Sequence, residues 1–228
     1  MTEPVTVVTL VGPWPLALPL FCLALMLFNC ETTVVARVMA EYGHHGLRMP
    51  DLATVKRQVW LHASALCVIL MLSSLSKPFE LITSGLFVLF IFRMSLIDTL
   101  TGWLPREFTW PFLAAGLCVA TGKHVLISHA TLSLILLGIC WSLRRLGAYF
   151  AQREVFGMGD VWLVAGMGAW FGAPVSLLAV MGGLVGFILW YAGSCSQEAS
   201  RGGPLGPWLG YSALLAMVLN VSDPLLMW

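Results

Sequence analysis

Long apolar runs alternate with short polar interruptions along the whole chain. A membrane-spanning helix needs roughly 20 mostly apolar residues, about 17 at the short end, because the hydrocarbon core is about 30 Å thick. Eight runs separated by Gly, Pro or charge approach or reach that length. They are Trp14–Val35, Trp60–Leu75, Leu81–Ile97, Phe108–Ala120, Val125–Leu143, Val161–Phe171, Val175–Ala192 and Pro207–Leu226. The fourth and sixth are short, so they are expected to be half-buried or to extend into a cytoplasmic layer. The pattern predicts an all-α polytopic membrane protein with about eight transmembrane helices.

The composition agrees with this pattern and excludes other classes of protein. Of the 228 residues, 59% are hydrophobic and 10% are charged, whereas soluble domains carry about 25% charged residues. The formal net charge is +1, which leaves no excess of basic residues to neutralise a phosphate backbone. Membrane lipid is therefore an expected partner and nucleic acid is not.

Basic residues predict the orientation, because loops that stay in the cytoplasm collect Lys and Arg. The odd-numbered gaps between runs hold nine of them and the even-numbered gaps hold two, Lys77 and Lys123. The nine are Arg37, Arg48, Lys56, Arg57, Arg106, Arg144, Arg145, Arg153 and Arg201. We therefore expect both termini outside and the odd gaps inside. Residues 1–80 would form N-terminal helices with a short cytoplasmic loop, and residues 81–228 a second unit.

A charged side chain inside a membrane is costly, about 2.5–3.5 kcal/mol at a helix centre, so each acid near an apolar run needs a reason. Most of the eleven acids lie in loops or at run ends, where they are solvated. Glu31 is expected to be an interfacial or paired acid, with Arg37 available, or else part of a site. Asp98 ends the third run and Asp160 opens the sixth, both on the predicted cytoplasmic side.

Two carboxyl groups in partly apolar surroundings can do acid and base chemistry if they meet. Both cannot be ionised comfortably at short range, so they share a proton. One carboxylate can then take a proton from water as it attacks an amide, while the other supplies one to the leaving nitrogen. Gly157 and Gly159 remove the side chains beside Asp160 and would let an extended peptide approach. Taken alone, Gly157 to Asp160 also fits an ordinary capped helix start.

Several segments together are more specific than any one of them. They are Ile97-Asp98 with Leu104-Pro105, then Gly157-Met158-Gly159-Asp160-Val161-Trp162-Leu163, then Gly203-Pro204-Leu205-Gly206-Pro207-Trp208-Leu209. In order and spacing, the chain from about Leu81 to Leu226 resembles the type IV prepilin peptidases, which are bilayer-embedded aspartyl proteases of the GxGD type.

The resemblance implies that Asp98 and Asp160 are the catalytic pair and that Gly157 and Gly159 form the turn that binds substrate beside them. It also implies that residues 81–228 are the peptidase core, with no cofactor and no metal. Such enzymes remove the leader peptide of prepilins or pseudopilins at the cytoplasmic face of the bacterial inner membrane, in systems that build type IV pili or secrete proteins.

The chain also departs from the larger members of that family. Its first polar stretch, residues 37–58, is short and has no cysteine, so the chain looks like a short form without the zinc-bearing cytoplasmic domain. Trp162 stands where the family often has Lys.

Two alternatives stay open at this point: a bifunctional peptidase that also N-methylates the mature pilin, and a small proton-coupled transporter. The substrate, the system served, the separation of the two aspartates and a homodimer are also left open.

Overall fold

The computed structural model describes residues 14–41, 51–73, 78–152, 157–193 and 203–226. Within these ranges a short 3-10 turn, Trp14–Leu16, precedes eight α-helices and there is no strand. The helices are α1 (Ala17–Glu41), α2 (Leu52–Leu72), α3 (Pro78–Thr101), α4 (Arg106–Gly122), α5 (Leu126–Ala151), α6 (Met158–Phe171), α7 (Val175–Gly193) and α8 (Gly206–Leu226). The prediction of an all-α polytopic membrane protein is confirmed.

Each predicted apolar run overlaps one of these helices, and several helices are longer than their runs. The largest extensions, at the end of α1, the start of α2 and the end of α5, lie at the predicted cytoplasmic ends. Helical hydrogen bonding continues into water once the helix has started, and long basic side chains reach the interface from there. The centre of the predicted first loop, including Arg48, and also Lys77, Arg153 and Arg201 lie outside the described residues.

Five of the helices are long and apolar enough to cross a membrane, namely α1, α2, α3, α5 and α7. The fourth and sixth helices have 17 and 14 residues, which confirms that these two are short. At 1.5 Å per residue, α6 is only about 21 Å long. The chain is therefore a multi-pass membrane protein with one helix enclosed by the others.

That enclosed helix is α6. It packs against α4, α5, α7 and α8, and its residues Leu163 to Phe171 are all buried. Two glycines permit the close approach. A Cβ at Gly166 would lie 2.4 Å from the Phe112 ring, and one at Gly168 would lie 3.0 Å from the Ser133 Cα. Because small residues let helix backbones approach each other inside a membrane, α6 is held tightly by its neighbours.

The last two helices pack in the same way. The spacing Gly182-x-x-x-Gly186 is typical of close helix packing, and a Cβ at Gly186 would lie 2.9 Å from the Trp208 ring of α8. Gly183, between them, lies against the Leu209 backbone, with 2.8 Å from its virtual Cβ to the Leu209 Cα. These contacts fix the start of α8 beside α7.

The start of α2 is capped by a side chain. Asp51 is the N-cap residue, and its Oδ1 accepts a hydrogen bond of 3.1 Å from the Ala53 N–H. Its Oδ2 accepts a second bond of 3.1 Å from the Thr54 hydroxyl. Aspartate is one of the best residues for this role because it satisfies an amide that has no partner in the first turn.

Helix ends that are far apart in sequence meet at one end of the bundle. The end of α3 contacts the start of α8 through Asp98 and Gly206, which are 108 positions apart. The start of α6 lies against the segment that follows α3, where Gly159 meets Leu104. Asp98 and Asp160, the two acids singled out in the sequence, are therefore at the same end of the bundle.

Candidate active site

Asp98 lies in the last turn of α3 and is 4% exposed. The helix stops there because Gly102 adopts a φ of +66°, a left-handed conformation that costs glycine little and other residues more. The Gly102 N–H donates a bond of 2.8 Å to the Asp98 main-chain oxygen. The glycine therefore turns the chain away immediately after the acid.

The Asp98 carboxylate is held by the start of α8. The Gly206 N–H donates to Asp98 Oδ2 over 2.8 Å in a buried hydrogen bond. A helix start offers amides without partners and a partial positive charge, both of which suit a carboxylate. A Cβ at Gly206 would lie 2.7 Å from Asp98 Oδ2, so a side chain at 206 would displace the carboxylate. The contact with Asp98 thus explains why a glycine stands at position 206, at the start of α8.

Asp160 is in the first turn of α6. Gly157 is the N-cap residue, and its N–H donates back to the Asp160 carboxylate. This is one half of a capping box, in which an acid at the third helical position satisfies the amide of the N-cap residue. Asp160 Oδ1 is buried and has no hydrogen-bond partner among the described residues. The capped helix start considered from the sequence is therefore present, and one oxygen of the acid is left over.

The structure brings the two acids together. The carboxyl groups of Asp98 and Asp160 are near enough to interact electrostatically. One comes from the end of α3 and the other from the start of α6, and α8 donates to the first of them. Two carboxyl groups in such proximity can work as an acid and base pair.

The two glycines beside Asp160 have different surroundings. Gly157 is exposed, and a Cβ there would meet only the Asp160 carboxylate, 3.0 Å from Oδ2. Gly159 is buried, and a Cβ there would lie 2.4 Å from the Leu104 carbonyl oxygen. Packing against Leu104 thus accounts for a glycine at 159 independently of substrate. Its role in substrate binding stays a prediction, as does that of Gly157.

Glu31 is the paired acid, but its partner is Arg93 rather than Arg37. Arg93 Nε lies 2.6 Å from Glu31 Oε2, and the two side chains are 29% and 13% exposed. The pair joins α1 to α3 at a position five residues before Asp98. Arg93 therefore neutralises an acid within the bundle.

In the part of the chain that the structure describes, no group of three or more His, Cys, Asp or Glu side chains could hold a metal ion. The absence of a metal or cofactor stays a prediction for the chain.

One hydrogen-bond partner of the aspartates was missed in the sequence. It is the Gly206 N–H, which donates to Asp98, although the Gly-Pro pair that opens α8 is a helix-start signal that could have pointed to it. The close packing of Gly159 against the Leu104 carbonyl was also missed, and the sequence carries no signal for it.

Comparison with known proteins identifies the family. The profile of the type IV leader peptidase family matches residues 85–192, which include both aspartates. A prepilin leader peptidase/N-methyltransferase of Dickeya chrysanthemi is 30% identical over 209 residues, which cover 78% of this chain and 71% of that protein. The chain belongs to the type IV leader peptidase family.

Other members of that family align over shorter parts. A prepilin leader peptidase/N-methyltransferase of Burkholderia pseudomallei is 35% identical over 130 residues, 52% of this chain and 40% of that protein. One from Escherichia coli K12 is 28% identical over 162 residues, 66% of this chain and 70% of that protein. No solved structure matches the chain significantly.

Membership makes the chain a peptidase, that is, a hydrolase of peptide bonds, as the sequence predicted. It supports peptide hydrolysis and favours neither alternative, the peptidase that also N-methylates or the proton-coupled transporter. The positions of the acids agree with this, because Asp98 and Asp160 lie at helix ends rather than at the centre of a membrane helix, where a transport pathway would need them.

Proposed function

We propose that this peptidase removes the leader peptide of type IV prepilins or pseudopilins, with Asp98 and Asp160 as its catalytic pair. The observation that carries the proposal is that Asp98 and Asp160 lie at the same end of the bundle, within electrostatic range of each other, in a chain of the leader peptidase family. The names of the Dickeya and Burkholderia relatives support prepilins as substrates. Residues 81–228 form the peptidase core and residues 1–80 add two helices and a short cytoplasmic loop.

The reaction is the attack of water on the peptide carbonyl carbon after the leader. The pair starts with one shared proton, since two neighbouring charges are unfavourable. The Gly206 N–H occupies Asp98 Oδ2, which leaves the other oxygen of Asp98 and the Asp160 carboxyl to hold that proton and to contact water.

One carboxylate accepts a proton from the attacking water, and the carboxylic acid of the pair hydrogen-bonds the carbonyl oxygen. The tetrahedral intermediate then collapses. The C–N bond breaks, a proton passes to the leaving nitrogen, and the products are a leader with a carboxylate end and a mature protein with a free amine. Gly157, exposed beside Asp160, gives the substrate backbone access to the pair.

The proposed location is the bacterial inner membrane, with the pair at the cytoplasmic face. The basic residues support this orientation. Some of the basic residues that predict the orientation lie in the described part of the chain. Arg57, Arg106 and Arg144 lie toward the helix ends near the aspartates, whereas Lys123 follows α4 at the opposite end. The positive-inside rule places the basic end in the cytoplasm.

The test is to co-express a prepilin with variants of each acid and to follow its size on a gel. Asp98→Asn and Asp160→Asn should each abolish processing, because each removes one member of the pair while keeping its shape. Glu107→Gln is the matched control, since Glu107 is an exposed acid in the first turn of α4 at the same end of the bundle. Full processing by either Asp variant at normal membrane levels would refute the pair.

Mass spectrometry of the processed product separates hydrolysis from the combined activity. A mature amino terminus of unchanged mass is expected. An added mass of about 14 Da that depends on this chain would show N-methylation as well.

A further inference from the structure

One amide side chain near the start of α2 contacts two other helices. Gln58 is 1% exposed, and its Nε2 donates to the Thr99 hydroxyl of α3 over 3.2 Å and to the Tyr211 hydroxyl of α8 over 2.5 Å. The Thr99 hydroxyl in turn donates to the Ser95 main-chain oxygen over 2.6 Å. The oxygen of the Thr99 hydroxyl is therefore free to accept the hydrogen bond from the Gln58 amide.

These two helices are the ones that hold Asp98. Thr99 is the residue after Asp98, and Tyr211 is five residues beyond Gly206, about 7.5 Å along the helix at 1.5 Å per residue. Gln58 therefore ties the end of α3 to the start of α8 from the side. The Gly206 N–H makes the same connection directly at the carboxylate.

Stability alone does not account for an amide at this position, because Gln58 Oε1 is buried and has no hydrogen-bond partner among the described residues. A buried amide oxygen without a partner costs free energy that an apolar side chain of the same length would not cost. A methionine would fill the space between the three helices without that cost. An amide, unlike a methionine, donates the two hydrogen bonds from Nε2 to Thr99 and Tyr211.

We propose that Gln58 is a positioning residue of the peptidase reaction, which keeps the end of α3 in register with the start of α8 so that Asp98 faces Asp160. The proposal rests on the function proposed above. It adds a residue from the N-terminal helices, outside the matched range 85–192, to the machinery of the core. Gln58 touches neither aspartate through a described hydrogen bond and acts through Thr99 and Tyr211.

The test compares Gln58→Met, Thr99→Val and Tyr211→Phe, each of which keeps the shape and removes hydrogen bonding. Thr83→Val is the matched control, because Thr83 is also on α3 and bonds the main-chain oxygen four residues before it, at 2.9 Å, but lies at the opposite end. Kinetics are measured on purified, monodisperse protein with a prepilin peptide, and rates are normalised to the folded fraction.

We expect Gln58→Met to lower kcat roughly 10- to 100-fold, as misplacement of a catalytic group does, with KM within about twofold of wild type. The pH profile of kcat should also move by roughly half a unit or more, because that profile reports the aspartate pair. Loss of folded protein alone would lower the rate without moving the profile. Thr83→Val should leave kcat and the profile unchanged.

Coupling provides a second criterion. The combination of Gln58→Met with Thr99→Val and Tyr211→Phe should lose no more activity than Gln58→Met alone, since all three remove the same connection. A folded Gln58→Met enzyme with wild-type kcat and pH profile would overturn the proposal. If Gln58→Met does not fold, the double variant Thr99→Val and Tyr211→Phe decides in the same way.

Asp98→Asn, assayed beside these variants, keeps the two proposals apart. If Asp98→Asn cleaves as wild type does, the catalytic pair is wrong and the positioning role falls with it. If Asp98→Asn is inactive while Gln58→Met is normal, only the positioning role is wrong.

Discussion

Adding one methyl group at Gly159 should separate the two carboxyl groups of the pair. In Gly159→Ala the new Cβ would lie 2.4 Å from the Leu104 carbonyl oxygen and 2.6 Å from the Leu104 Cβ. Leu104 is buried and is followed by Pro105, which caps α4 with a φ of −64°. The carbonyl is therefore fixed on both sides, and the start of α6 has to move.

The size of the movement follows from the contact. Ordinary van der Waals contact begins at 3.4 Å, so α6 and the segment after α3 must separate by about 1 Å. Asp160 is the next residue on α6, and the same displacement reaches its carboxylate. A misplacement of about 1 Å can cost on the order of 100-fold in rate. Overpacking of this kind also destabilises a protein by about 1–3 kcal/mol.

The assay measures kcat, KM and thermal stability of purified Gly159→Ala with a prepilin peptide. Gly138→Ala is the control, because Gly138 is also within a helix, α5, and a Cβ there would meet nothing within 4 Å. We expect Gly159→Ala to lose kcat and stability together, and Gly138→Ala to lose neither. A Gly159→Ala enzyme with kcat within about threefold of wild type would refute the packing argument. A rise in KM alone would instead favour the substrate-binding role predicted from the sequence.

Three further predictions concern the ion pair, the helix cap and metal independence. Arg93→Met should lower stability by about 1–3 kcal/mol, because it leaves the partly buried Glu31 carboxylate without its hydrogen-bond partner, and adding Glu31→Gln should restore most of the loss. Equal melting temperatures of the single and double variants would contradict this. The Ala53 N–H, with the Thr54 hydroxyl, holds the pKa of Asp51 below its ordinary value of 3.8, so the ionised cap stabilises the fold above that pH and the stabilisation is lost as the pH falls through the lowered pKa. The difference in melting temperature between wild type and Asp51→Ala should therefore shrink in acid, and a constant difference would argue against the cap. Prepilin cleavage should be unaffected by EDTA, whereas inhibition that added zinc reverses would contradict a reaction by aspartates alone.

The fold was largely predictable from the sequence because a bilayer restricts the choice of structures. Each apolar run had to form a helix, since backbone polar groups have no water to bond with in hydrocarbon. Helix ends were less predictable. The end of α1 at Glu41 and the start of α2 at Leu52 lie among polar residues, where local hydrogen bonds such as the Asp51 cap determine the boundary.

The placement of Asp98 and Asp160 at one end of the bundle was predictable for a related reason, and their catalytic role stays a proposal. Asp98 and Asp160 stand out because an acid beside a long apolar run is expensive and needs a function. Their hydrogen-bond partners were not predictable. Gln58 near a helix start resembles an ordinary solvated residue in the sequence, and only packing shows that it is enclosed by three helices.

The partner of Glu31 illustrates the same limit. Arg37 was the nearest base in the sequence, but six residues along a helix place two side chains on different sides. Arg93 is 62 positions away and meets Glu31 because α1 packs against α3. Contacts between helices depend on tertiary packing, which the apolar pattern alone does not specify.

The hydrogen bond from Gly206 to Asp98 has a consequence for the order in which the enzyme is made. A chain that is still being synthesised already contains both aspartates once residue 160 has been added, but the amide that holds Asp98 belongs to α8, which is made after both of them. The carboxylate cannot take its final position until α8 has entered the membrane. The newly inserted protein therefore gains the proposed catalytic arrangement only after α8 has packed against α3.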